Sequence, residues 1–161
     1  MLTVERLKEA LMYESDTGIF RWRVIRSQNG RAGNIAGSKK VNGYIDICID
    51  RMLYKAHRLA WFYMTGKWPS EGLDHINTDR TDNRWANLRL ANKSQNEANS
   101  PRNKANTSGF KGVSRKRNKW QAGIKKDYVR YNLGSFATPE EAHQAYCEAA
   151  KETFGEFARF S

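Results

Sequence analysis

The sequence predicts an α+β protein of two small modules, the second a three-stranded antiparallel sheet packed on one helix. Three observations carry this reading. Short alternating apolar segments and one aromatic helical run intermix between residues 44 and 99. A polar stretch follows at 100–108, containing Pro101, Asn103 and Asn106 and no apolar residue larger than Ala105. Beyond it lie three strand-like segments and a strong helix-start signal at Thr138-Pro139-Glu140-Glu141. A chain of 161 residues, 39% hydrophobic, fits one ordinary domain or two small ones. The stretch at 100–107 is the natural linker, giving modules at 1–99 and 108–161.

Thr3 to Met12 carries Val4, Leu7 and Leu11 at helical spacing, with Thr3 as N-cap. Asp16-Thr17-Gly18 is a turn, and Ile19 to Val24 alternates as a strand. Residues 26–43, rich in Gly, Asn and Ser, read as loop. Tyr44 to Ile49 and Met52 to Ala56 form a hairpin, and His57 to Thr65 a buried helix stopped at Gly66. A strand leads into Leu73-Asp74-His75; a polar loop, a strand at Leu88-Arg89-Leu90 and a helix from Asn92 to Asn99 come next. In the second module strands are expected near 110–115, 119–126 and 129–136. The last helix presents Ala142, Ala145, Tyr146 and Ala149 on one face, and His143 falls off it, suited to helix packing or solvent.

The formal charge is +11, from 28 Lys+Arg against 17 Asp+Glu, and it is segregated. Residues 101–130 hold ten Lys/Arg and one acid, Asp127, whereas 131–161 hold Lys151 and Arg159 against five acids. Such a concentration points to a polyanion, nucleic acid first. A membrane surface fits less well, since the basic stretch reads as strands. No apolar run reaches the roughly 18 residues of a membrane helix, and the N-terminus lacks the pattern of a secretory signal. Cys48 and Cys147 are far apart, which argues against a cysteine-ligated zinc site or a disulfide framework. The simplest expectation is a soluble cytoplasmic protein.

The informative segment runs from Asp74 to Leu90 and on to Asn96. Adjacent Asp and His at a strand end point to opposite faces unless the backbone curves. Brought to one cavity, the carboxylate can hold a cation while the imidazole, with its pKa near neutrality, activates water. A carboxylate plus an amide oxygen is a hard donor set for Mg2+ or Mn2+, not for zinc. Eleven residues separate His75 from Asn87 and eight more separate Asn87 from Asn96. Asp79, Asp82 and Asn83 read as turn formers.

Over about residues 1–99 the chain resembles the HNH endonucleases, especially the phage and intron-encoded homing type. The resemblance is carried by Ala56-His57-Arg58-Leu59-Ala60-Trp61, Gly66-Lys67-Trp68-Pro69, Asp74-His75-Ile76-Asn77, Asp82-Asn83-Arg84, Asn87-Leu88-Arg89 and Asn96. It implies a ββα-metal fold and the catalytic residues His75 and Asn87. His75 is then the general base, and Asn87 hydrogen-bonds and orients it. It also implies Asp74 and Asn96 as ligands of one divalent ion, Mg2+ or Mn2+. His57 is expected to brace the core or to touch phosphate beside Arg58.

In the second module Trp120, Ala122 and Ile124 share one strand face, leaving Lys119, Gln121, Gly123 and Lys125 on the other; Tyr131 and Leu133 oppose Arg130 and Asn132. One face suits the helix and the other makes a basic sheet able to enter a major groove. The segments Ser108-Gly109-Phe110-Lys111-Gly112-Val113, Leu133-Gly134-Ser135-Phe136, Thr138-Pro139-Glu140-Glu141-Ala142, Ala145-Tyr146 and Ala149-Ala150, with Trp120, resemble the plant APETALA2-type (ethylene-response-factor) DNA-binding domain. That resemblance implies binding of double-stranded DNA through the sheet. It departs where plant members carry further Arg and Trp, having Ser114 and Asn132, so the target sequence does not transfer. The candidate DNA contacts are Lys111, Arg115, Lys116, Lys119, Gln121, Lys125, Arg130 and Asn132.

The combined expectation is a site-directed DNA endonuclease that nicks, with double-strand cleavage needing a dimer or two events. No small-molecule substrate is implied. The competing readings are a DNA-binding regulator with an inactive nuclease core and an RNA-directed protein. The sheet disfavours the latter, because the deep, narrow major groove of A-form RNA excludes it.

Overall fold

Thr3 accepts a hydrogen bond from the backbone N–H of Arg6 (3.2 Å) and so caps the first helix, α1 (Val4–Ala10), satisfying a donor the helix start leaves open. In the computed structural model, which describes residues 1–25 and 31–161, α1 ends earlier than its spacing predicts. Leu11 turns extended, and Leu11–Glu14 forms β1, paired antiparallel with β2 (Ile19–Trp22). Leu11 fits both periods, but Met12 is exposed between buried Leu11 and Tyr13, the alternation of a strand. Residues 26–30 of the expected loop lie outside the described residues; within the remainder Ser38–Lys39 forms β3, on the edge of β4 (Ile45–Ile49).

The hairpin of β4 and β5 (Met52–Lys55) turns on Asp50 and Arg51, both at positive φ, and Arg6 clasps the Asp50 carboxylate with two bonds of 2.9 and 2.8 Å. α2 (Ala56–Thr65) stops at Gly66, whose left-handed backbone returns its N–H to Phe62 O. Its buried side includes Leu59, Ala60 and Phe62, which join Leu7, Leu11, Ile47 and Ile49 in the core. Trp68 stacks on both Phe62 (4.3 Å between centroids) and Tyr54 (5.8 Å), sealing one end. Then β6 (Gly72–His75) pairs with β7 (Leu88–Ala91), and a short 3-10 turn, Trp85–Asn87, leads into β7.

The β1–β2 hairpin supports the loop between β6 and β7. Tyr13 donates its hydroxyl hydrogen to Asn83 O (2.6 Å), and Trp85 N–H bonds Ser15 O (2.9 Å). Gly18, at φ +73°, sits so close to this loop that a Cβ there would stand 2.4 Å from Arg84 N and 2.5 Å from the Asn83 carbonyl carbon. Both conformation and space therefore demand glycine.

The described residues form two compact units, Met1–Leu90 and Ala91–Ser161. The second begins ahead of the linker expected at 100–107, so α3 (Lys93–Asn99) groups with the C-terminal residues. There β8 (Val113–Lys116), β9 (Lys119–Lys126) and β10 (Val129–Phe136) form an antiparallel sheet in the order β10-β9-β8, with a bulge between Asn132 and Gly134. α4 (Pro139–Phe154) opens with the expected capping box, Thr138 bonding Glu141 N and Glu141 reaching back. Its Ala142, Tyr146 and Ala150 are buried, with Val113, Ala122 and Ile124 of the sheet in the same two small clusters. His143 packs rather than faces water: its ring lies 5.0 Å from Phe110 and Nδ1 meets Lys111 O at 3.1 Å. Among the described residues no helix is long and apolar enough to cross a membrane.

Gly18→Ala forces a side chain into a left-handed backbone and should cost about 1–3 kcal/mol, read by denaturant unfolding. Thr138→Ala removes one cap and should cost about 1 kcal/mol.

Candidate active site

β6 delivers three consecutive buried residues, Leu73, Asp74 and His75, to the start of a polar loop. The loop turns at once: Thr78 N–H bonds His75 O (2.8 Å), and Thr78 takes a positive φ. Short polar side chains then replace the ladder. Asn77 accepts from Asp79 N (2.9 Å), and Asp79 accepts from Thr81 N (2.8 Å) and the Thr81 hydroxyl (2.7 Å). Asp82 holds the Arg84 guanidinium at 2.8 and 2.6 Å, which keeps its carboxyl near pKa 2. Asp79, Asp82 and Asn77 thus serve as turn formers.

Asn87 closes this loop. Its Oδ1 accepts from Asn77 N (3.0 Å), and its Nδ2 donates to Asn77 Oδ1 (3.0 Å) and Asp82 O (2.8 Å). These bonds engage the Asn87 amide within the loop, with Asn77 and Asp82. The side chain facing the His75 ring is Asn83, whose Oδ1 lies 3.3 Å from Nε2. Asn83 is 1% exposed, and its own Nδ2 donates to Thr81 O (3.1 Å), which fixes the amide with its oxygen toward the imidazole. A carbonyl oxygen only accepts, so this contact favours the tautomer with hydrogen on Nε2 and the lone pair on Nδ1.

Further rings pack about His75. His57 of α2 meets it edge-on at 5.1 Å, and Tyr44 lies 5.1 Å from His57 and 6.1 Å from His75. Arg80 stands over Tyr44 (4.9 Å) and donates to Asn42 O (2.8 Å), while Lys55 lies 5.3 Å from the same ring. Burial lowers the pKa of His75 below its usual value, with the Asn83 contact and nearby carboxylates pulling partly back. Burial, then His75, Arg58 and Lys55, take His57 down to about 3. Both rings are neutral near neutral pH. Asp74, also buried, receives the Arg89 guanidinium through Nε (3.0 Å) and Nη2 (2.9 Å). The site so far is a buried neutral imidazole beside a buried carboxylate, with Arg80 and Lys55 around Tyr44. Sequence reasoning missed Asn83, Tyr44 and His57 as parts of it. Asn83 stood in plain view in Asp82-Asn83-Arg84, but turn chemistry uses the same residue types.

The second unit holds the other candidates. Asn96 on α3 donates from Nδ2 to Ala91 O and Asn92 O (3.3 Å each), leaving Oδ1 as the atom the amide can offer to a cation. Among the described residues no three His, Cys, Asp or Glu side chains gather as a metal cage. On the sheet, cross-strand pairs Lys116↔Lys119, Arg130↔Lys125 and Asn132↔Gly123 put Lys116, Lys119, Gln121, Lys125, Arg130 and Asn132 on one face. Gln121 donates to Asn132 Oδ1 (3.0 Å). Two like-charged pairs directly opposite each other are unfavourable by themselves and are relieved by a polyanion. Gly123 makes room for Arg130, since a Cβ there would lie 3.1 Å from Arg130 Nε.

Two expected DNA contacts are placed elsewhere. Arg115 pairs opposite Trp120 and stands over its ring (5.6 Å), on the side of the sheet that faces the helix. Lys111 points its ammonium at the end of α3, donating to Ala98 O (2.5 Å) and Ser100 O (2.6 Å); burial lowers its pKa to about 8.

The chain matches the HNH endonuclease family model over residues 54–98. It is 36% identical over 105 residues to the "Uncharacterized HNH endonuclease L560" of Acanthamoeba polyphaga mimivirus, an alignment covering 63% of this chain and 54% of that protein. It is also 32% identical over 116 residues to "Protein 3.8" of Escherichia phage T7, covering 68% of this chain and 95% of that one. The chain thus spans about half the length of the mimivirus relative and nearly all of the phage one. No solved structure matches. The family segment contains Asp74, His75, Asn83, Asn87 and Asn96, and the chain belongs to the HNH endonuclease family.

Proposed function

We propose that the protein is a metal-dependent DNA endonuclease of the phage homing type, in which His75 is the general base for phosphodiester hydrolysis and the basic sheet holds duplex DNA. The observation that carries this is the buried, neutral His75 ring faced by the fixed oxygen of Asn83. Such a ring can take a proton from water without first losing one, and its orientation is set before substrate arrives. Asn87 acts one step back, by closing the loop that carries Asn83.

Asp74 and the Oδ1 of Asn96 are the residues we assign to one Mg2+ or Mn2+ ion, a donor set of oxygens alone that fits a hard cation. The ion, when bound, neutralises charge on the phosphate and stabilises the leaving oxygen. Arg89 holds the Asp74 carboxylate in one orientation, and its charge offsets part of that carboxylate's. With so few protein donors, the ion would be held weakly without DNA, whose phosphate would add oxygen donors.

One such base and one ion serve one strand, so a monomer nicks. We read β8–β10 with α4 as an APETALA2-like module, supported by the order of its elements and by Lys116, Lys119, Gln121, Lys125, Arg130 and Asn132 sharing a face. The viral source of both relatives supports a phage-type origin, with action in the host cytoplasm.

Supercoiled plasmid bearing a binding site tests the reading. Wild type should yield nicked circles with Mg2+ or Mn2+ and none in chelator, and His75→Ala should cut about 100- to 10,000-fold more slowly. Retardation of a confirmed site without scission by wild type would instead make the protein a DNA-binding regulator. Arg130→Ala and Lys119→Ala should weaken site binding by about 1–3 kcal/mol if they read base edges, or lower the salt dependence if they touch phosphate, as gel retardation at several salt concentrations will separate.

A further inference from the structure

The helix α3 has seven residues, too few to hold its shape alone, since isolated helices under about 12 residues are marginal in water. Its stability comes from what grips it: within the second unit α3 packs on α4 and on the 3-10 turn Gly155–Phe157, and its polar anchors come from the sheet and from Lys111. The β9–β10 hairpin turns on Asp127 and Tyr128, both at positive φ, and the outward Asp127 N–H is received by Ser94 Oγ at 2.7 Å. Lys93 of α3 and Lys125 of β9 stand over the Tyr128 ring at 4.6 and 5.5 Å. Lys125 also pairs with Glu97 (3.2 Å). At the far end Lys111 closes the helix by donating to Ala98 O and Ser100 O, using a half-buried ammonium on carbonyls that would otherwise lack partners.

The anchors therefore bracket Asn96 from both sides: Ser94 before it, Glu97 after it, and the Lys111 cap at the end of the helix. We propose that this socket is a positioning device for Asn96, so that Ser94 and Lys111 act on the metal-dependent step although neither lies on the DNA face. The inference rests on the reading of Asn96 as a metal ligand, and it gives the sheet two duties: contacting DNA and holding the helix that carries a ligand. Lys125 takes part in both.

The test uses the full chain with Ser94→Ala, Lys111→Met and Lys111→Arg. Amide hydrogen exchange without metal should quicken about tenfold over residues 93–99 in the first two variants, the effect of one lost hydrogen bond to a charged or fixed partner. Exchange in β9, β10 and α4 should stay at the wild-type rate, which shows the sheet intact. The Mn2+ concentration for half-maximal nicking should rise about tenfold, while site affinity in metal-free buffer stays unchanged and Lys111→Arg recovers most of the loss. Ser94→Ala carries the test if Lys111→Met does not fold. Unchanged exchange over 93–99 in the folded variants, or loosened exchange with the wild-type Mn2+ requirement, overturns the positioning role. Asn96→Ala separates the two failures: a wild-type Mn2+ requirement in that variant overturns the ligand reading itself, and the role of the socket with it.

Discussion

An imidazole that is 4% exposed can act as a base only while it stays neutral and only if its ring is held in one plane, and the region about His75 meets both conditions. Burial keeps the ring uncharged. Orientation comes from a loop that has no regular structure of its own and depends on side-chain amides and carboxylates, Asn77, Asp79, Asp82, Asn83 and Asn87, to satisfy its backbone. That loop is in turn pinned by Tyr13, Ser15 and Gly18 of the first hairpin. The N-terminal residues thus fix Asn83 from a distance.

Asp74 and His75 stood out in the sequence only through their combination with Asn87 and Asn96 at set spacing, since an adjacent acid and imidazole alone is common. Spacing singled out Asn87, but it does not say which of several loop amides faces the ring, and Asn83 is one that does. Asn83 was read as a turn former for the same reason: Asx turns and buried hydrogen-bonding amides draw on one residue type. Tyr44 and His57 join His75 through tertiary packing of β4, α2 and β6, which no local pattern records. The strand β1 was missed because Leu11 satisfies a helical and a strand period equally.

In the C-terminal unit the three strands, the helix and its capping box came from alternation and cap residues, both local signals. The facing of individual cations did not. The APETALA2 resemblance set Lys111, and the basic stretch Arg115, among the DNA contacts, whereas Lys111 caps α3 and Arg115 stands over Trp120. Likewise the polar stretch at 100–107 looked like the boundary, but contacts made by Ser94, Glu97 and Ala98 tie α3 to the C-terminal sheet and to Lys111 ahead of it. Compositional breaks mark where a chain lacks a core; they do not mark where its cooperative units divide.

The central claim is that His75 takes the proton in a metal-dependent cut, and chemical rescue tests it most directly. His75→Gly should be inert on plasmid that it still binds, and imidazole added with Mg2+ or Mn2+ should restore nicking in proportion to the neutral form of the added base. A folded, DNA-binding His75→Gly protein that cuts at the wild-type rate without imidazole, or that imidazole leaves inert, would contradict the account.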